Sequence, residues 1–67
     1  MTRSQIALIR EAARRAAIAR VRGDEATARF EKRWATQAIH LESDPKIAEE
    51  AYRIAYRQAA QQYRGHV

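Results

Sequence analysis

The chain has 67 residues, a formal net charge of +5 and no cysteine. A domain of this size leaves roughly 40% of its unfolded surface exposed after folding, so its core is small and a buried catalytic site is not expected. Without Cys there is no disulfide framework, thiolate zinc site or thiol nucleophile, and a reducing cytoplasm is the expected compartment.

The 46% apolar content is misleading, because fifteen of those residues are Ala and only eleven are Leu, Ile, Val or Phe. Those larger types make up about a sixth of the chain, near the level at which charged sequences stop folding. The remainder favours helix: Ala, Arg, Glu and Gln dominate, with two Gly and one Pro. No apolar run reaches the length of a signal-peptide core or a membrane span, so no membrane span is expected, although residues 1–22 have the Arg-rich, acid-poor character of an organellar presequence.

Residues 1–22 carry Arg3, Arg10, Arg14, Arg15, Arg20 and Arg22 against Glu11 alone. Thr2 and Gln5 have the spacing of a reciprocal N-terminal cap, which predicts a helix over 3–22. At 100° per residue, Ile6, Leu8, Ile9, Ala12, Ala13, Ala16, Ala17 and Ala19 fill half of its circumference, and Arg3, Arg10, Arg14, Arg15 and Arg22 lie opposite. Arg20 intrudes near the apolar edge.

Gly23 can end that helix in the left-handed conformation and Asp24 can cap the next, giving a hairpin with a second helix over 24–41. The apolar stripe of this segment is Ala26, Phe30, Trp34, Ala38 and Leu41, the heaviest hydrophobic load in the chain. Phe30 and Trp34 are the expected core anchors, with Arg29, Lys32, Arg33, Thr36 and His40 on the solvent side. The same stripe is in phase with Ile6, Ile9 and Ala13, so one continuous helix over 4–41, about 57 Å long and paired in a dimer, satisfies the pattern as well.

Asp44-Pro45 separates off a third helix over 45–64, with residues 65–67 as a frayed C-terminus. Ile47, Ala51, Ile54 and Ala55 form its expected core stripe, and Glu49 precedes Arg53 in the favourable i, i+4 order. Beside that stripe, Tyr52, Tyr56, Ala59 and Tyr63 recur at spacings of four, three and four, flanked by Arg53, Arg57 and Arg64. Tyr and Arg are enriched at binding hot spots, while a Tyr row can equally cover a helix interface.

Motifs for chemistry are scarce. His40 and His66 do not make a metal cluster, no Gly-rich phosphate loop is present, and Ser4 and Ser43 stand where helix caps are expected. A helix-turn-helix counted from Gly23 puts Arg29 and Lys32 at positions that must be buried, so that DNA-reading motif fails. The Gly23-Asp24 turn, with Ala16 before it and Ala28 and Ala35 after it, is loosely similar to one tetratricopeptide hairpin. It lacks that repeat's aromatic positions and has no second copy, so the resemblance implies no function.

The expectation is a single all-α domain over 1–67, a three-helix bundle without catalytic residues, metal, cofactor or small-molecule substrate. Two functions fit. One is a small accessory or regulatory protein that binds nucleic acid, or another acidic surface, through phosphate-type contacts of Arg3, Arg10, Arg14, Arg15 and Arg22. The other is a homo-oligomeric, dimeric interaction module using Tyr52, Arg53, Tyr56, Arg57 and Tyr63. Weak alanine stripes favour completion of the core by a partner.

Overall fold

Alanine-rich helices can approach closely, and the first helix exploits this by serving two neighbours at once. A computed structural model describes residues 4–65: three helices, α1 (Ile6–Val21), α2 (Glu25–His40) and α3 (Pro45–Gly65). Both α2 and α3 pack along α1 and scarcely touch each other. The protein is an all-α three-helix bundle with α1 at its centre. It is 15 Å across its thinnest direction, so the interior is a single layer of side chains.

The expected buried arc of α1 is correct apart from one residue. Ile9, Ala12, Ala13, Ala16, Ala17 and Ala19 are buried and Ile6 half-buried, whereas Leu8 is exposed. These residues serve both neighbours, since α2 and α3 each pack on α1. One alanine face thus supplies two seams.

The hairpin, not the continuous helix, is the structure. Gly23 has φ +84°, a conformation that side-chain-bearing residues rarely adopt. Its N–H donates to the Arg20 carbonyl at 3.1 Å and the Asp24 N–H to the Ala19 carbonyl at 2.8 Å, the two bonds of a Schellman stop. Asp24 then caps α2 by accepting from the Thr27 N–H at 3.2 Å, and Asp44 caps α3 by accepting from the Ile47 N–H at 3.3 Å. The start of α1 differs from expectation. Helix begins at Ile6, and Glu42, in the α2–α3 turn, accepts from Ser4 Oγ at 2.9 Å and from the Gln5 N–H at 3.2 Å. A carboxylate at that end also complements the helix dipole. Thr2 and Arg3, with His66 and Val67, lie outside the described residues, and α3 runs through Gly65.

Hydrogen bonding with Thr27, through its side chain first and its N–H second, holds the Asp24 carboxyl below the usual aspartate range, and Arg22 adds a smaller effect in the same direction. A lowered folded-state pKa stabilises the fold above the unfolded pKa, and the contribution disappears as pH falls through the folded value. Asp24→Ala is therefore expected to lower Tm at neutral pH. The gap from the parent should hold down to about pH 4 and narrow below it, as thermal melts across pH would show.

The two larger stripes are where expectation and structure part. Phe30 is 69% exposed, Trp34 36% and Leu41 75%, and Ala26 is exposed too, so α2 does not use its heaviest face as core. It turns Ala28, Ala35 and Ala38 toward α1 instead, with Glu31 and Ile39 half-buried beside them. On α3 the expected stripe is likewise displaced. Ile47 and Ile54 are exposed, Ala51 and Ala55 sit at the margin, and the inward residues are Ala48 and Ala59 with Tyr52, Tyr56 and Tyr63 half-buried. The physical reason is fit: flat alanine surfaces of α1 accept flat alanine surfaces of α2 at short range, whereas Phe30 and Trp34 in that seam would hold the helices apart. Among the described residues Ile9 is the one large side chain that is fully buried, with Ala38 and Ala48 around it and Ile6, Ile39 and Tyr52 closing the cluster.

Candidate binding groove

Because α2 and α3 share α1 but diverge from one another, a groove opens between them over α1. Its larger recess, about 530 Å³, lies between Lys32, Thr36 and Ile39 of α2 and Glu49, Tyr52 and Arg53 of α3. A smaller one of about 250 Å³ continues along Ala16 and Ala28 toward Glu25 and Arg29. Arg20, Lys32, Tyr52 and Tyr56 line both, so the two are one channel.

The charge within it is unevenly neutralised. Glu25 lies 3.9 Å from Arg29 and Glu49 3.8 Å from Arg53, exposed i, i+4 pairs worth little in water. Arg20 and Lys32 have no carboxylate at ion-pair distance among the described residues. The Tyr52 and Tyr56 rings are stacked, with centroids 6.1 Å apart and planes 23° from parallel. Burial, then Tyr56 and Glu31, raises the Tyr52 pKa, so its phenol keeps its proton at neutral pH and remains a hydrogen-bond donor. The channel therefore offers cations, a phenol donor and aromatic faces, a combination suited to an anion carrying flat groups.

The arginines singled out from sequence lie elsewhere. Arg10, Arg14, Arg15 and Arg22 are exposed on the side of α1 away from the groove. Glu11 engages two of them, Arg14 at 3.3 Å and Arg15 at 3.6 Å. Arg15 also donates from Nε to Glu31 at 3.2 Å, tying α1 to α2. Arg10 and Arg14 border a separate recess of about 400 Å³ against Ile54 and Gln58 of α3. Of the Tyr/Arg set, Tyr52, Tyr56 and Tyr63 are half-buried on the inward side of α3, while Arg53 and Arg57 are exposed and Arg53 stands at the groove rim. Tyr52 packs against the core cluster around Ile9, and Tyr52 and Tyr56 also line the groove.

Arg20 and Lys32 were not among the residues singled out. The signal for Arg20 was that it alone of the arginines intrudes on the apolar arc of α1, although a base in the last turn also suits the helix dipole. Lys32 carried no such signal, because its position depends on how α2 is rotated.

Among the described residues no group of three His, Asp or Glu is arranged to hold a metal ion, and no helix is long and apolar enough to cross a membrane. The fold and groove define a small three-helix bundle with a cationic channel. Compared with protein-family models, curated proteins and solved structures, the chain matches none.

Proposed function

We propose that the chain is a small non-enzymatic accessory protein of the cytoplasm that binds nucleic acid through its phosphates, with the α2–α3 groove as the principal contact. The observation that carries this reading is the convergence of Arg20 and Lys32, without carboxylate partners among the described residues, on a channel walled by the stacked Tyr52 and Tyr56. A single strand suits such a channel, since its phosphates can meet the cations while a base lies against a Tyr ring. Arg10 and Arg22 on the outer face of α1 form a second, more solvated positive surface; Arg14 and Arg15 are partly neutralised by Glu11 and Glu31.

The test is anisotropy of a labelled single-stranded oligonucleotide, with a duplex alongside. Affinity should fall steeply between about 50 mM and about 200 mM salt, as counterion release requires. Arg20→Ala/Lys32→Ala should weaken binding by about tenfold or more, given the strength of charge-assisted contacts. Arg10→Ala/Arg22→Ala should weaken it less. The reverse ranking would move the contact to the outer face, and no binding at the lower salt would end the proposal.

A further inference from the structure

Three of the chain's largest apolar side chains, Phe30 and Trp34 of α2 and Leu41 at its C-cap, form a stripe on the side turned away from the groove, and all are solvent-exposed. The antiparallel register set by Arg15 and Glu31 brings Leu8, 51% exposed, level with Ala38 on the same side. Taking about 200 Å² for a full side chain of this kind, these four leave roughly 450 Å² of apolar surface uncovered, the middle of the roughly 300–600 Å² range for the largest patch of a monomer and large enough to be a contact surface. That is over half of the roughly 800 Å² per partner in a specific interface, before flanking polar side chains are counted.

The spacing within the stripe identifies what covers it. Phe30, Trp34, Gln37 and Leu41 follow one another at intervals of four, three and four, the a/d spacing of a helix–helix seam. That series is unchanged when read backwards. A second copy of α2 laid antiparallel, about a twofold axis passing between Ala35 and Thr36, therefore sets Phe30 against the partner's Leu41 and Trp34 against the partner's Gln37. Phe30 meets Leu41 on either side of the axis, and beside the axis the Gln37 amide oxygen can accept from the Trp34 indole N–H. Isologous twofold contacts require this kind of self-complementarity.

We infer that two copies of this chain associate through α2, antiparallel, with Phe30, Trp34 and Leu41 at the centre of the interface. The groove lies on the other flank of α2, so this association is independent of the nucleic-acid proposal. Salt separates the two further. Each copy is positively charged and Arg33 borders the seam, so screening should leave self-association unchanged or tighten it, while it weakens binding to phosphates.

The experiment is sedimentation equilibrium on the intact chain from low micromolar to millimolar concentration. A mass of twice the 7.7 kDa protomer is expected to develop with concentration. Trp34 is the chain's only tryptophan, and its fluorescence should shift to the blue over the same range as water is excluded. Trp34→Glu should stay monomeric, and so should Phe30→Glu, whose helix content should be undiminished because the ring it replaces is 69% exposed. In a background without native cysteines, Phe30→Cys mixed with Leu41→Cys should cross-link faster than either variant alone. A monomeric mass throughout, a dimer that survives Trp34→Glu, or preferential cross-linking of Phe30→Cys to itself would overturn the inference.

Discussion

Ile9→Ala is expected to destabilise the fold by about 2–5 kcal/mol, the range for emptying a fully buried aliphatic site. At roughly 0.05–0.15 kcal/mol per residue, the whole domain has only about 3–10 kcal/mol to lose, so this one substitution removes much of its stability. Among the described residues Ile9 is the sole large side chain that is completely buried, and its cluster joins all three helices through Ala38, Ala48 and Tyr52. Alanine neighbours cannot move in to fill the space, because each is fixed to a helix backbone and has no rotamer with which to reach further. Urea unfolding followed by circular dichroism measures the loss. Phe30→Ala, at concentrations where the chain is monomeric, should change stability by less than about 0.5 kcal/mol, as for other exposed positions. If the ranking of these two variants were reversed, α2 would have to be rotated so that its heavier stripe faced α1.

The second large effect comes from adding volume. Ala13→Leu should cost about 1–3 kcal/mol, because Ala13 is completely buried on the inward face of α1 and three added carbons must push the helices apart. Here the close approach of the backbones depends on the methyl side chains of Ala12, Ala13, Ala16 and Ala17, so a larger group also disturbs neighbours along the seam. Ala7→Leu, on the exposed side of α1, is the control and should leave the unfolding midpoint nearly unchanged. Equal midpoints for the two leucine variants would show that the seam is loosely packed.

Much of the architecture was legible in the residues. Gly23-Asp24 and Asp44-Pro45 mark both helix junctions, and the structure ends and caps its helices there. The inward face of α1 was legible as well, since Ile6, Ile9 and five of its alanines occupy one arc and most of the arginines the other. The faces of α2 and α3 were not. Ranking residues by hydrophobicity selects Phe30, Trp34, Ile47 and Ile54, and these are the ones left outside. Hydrophobicity measures the gain from leaving water, but it takes no account of whether the surface opposite can receive a large side chain. An alanine helix offers no hollow deep enough for Trp34.

The candidate site followed the same division. Net charge pointed to a polyanion, and the positive excess of the first 22 residues pointed to α1. Which arginines remain free of carboxylates could not be read from composition, because Glu31 engages Arg15 from another helix, sixteen residues away. The groove itself follows from α2 and α3 diverging over α1, a relation between elements that no local pattern encodes.

Helix content, junctions and caps follow from residues within a few positions of one another, where steric and hydrogen-bonding preferences act directly along the chain. The rotation of α2 and α3 about their own axes is of a different kind. It depends on how closely whole helix surfaces approach, which is a property of pairs of surfaces. That rotation turns Arg20, Lys32 and the Tyr pair toward one opening and leaves Phe30, Trp34 and Leu41 facing outward.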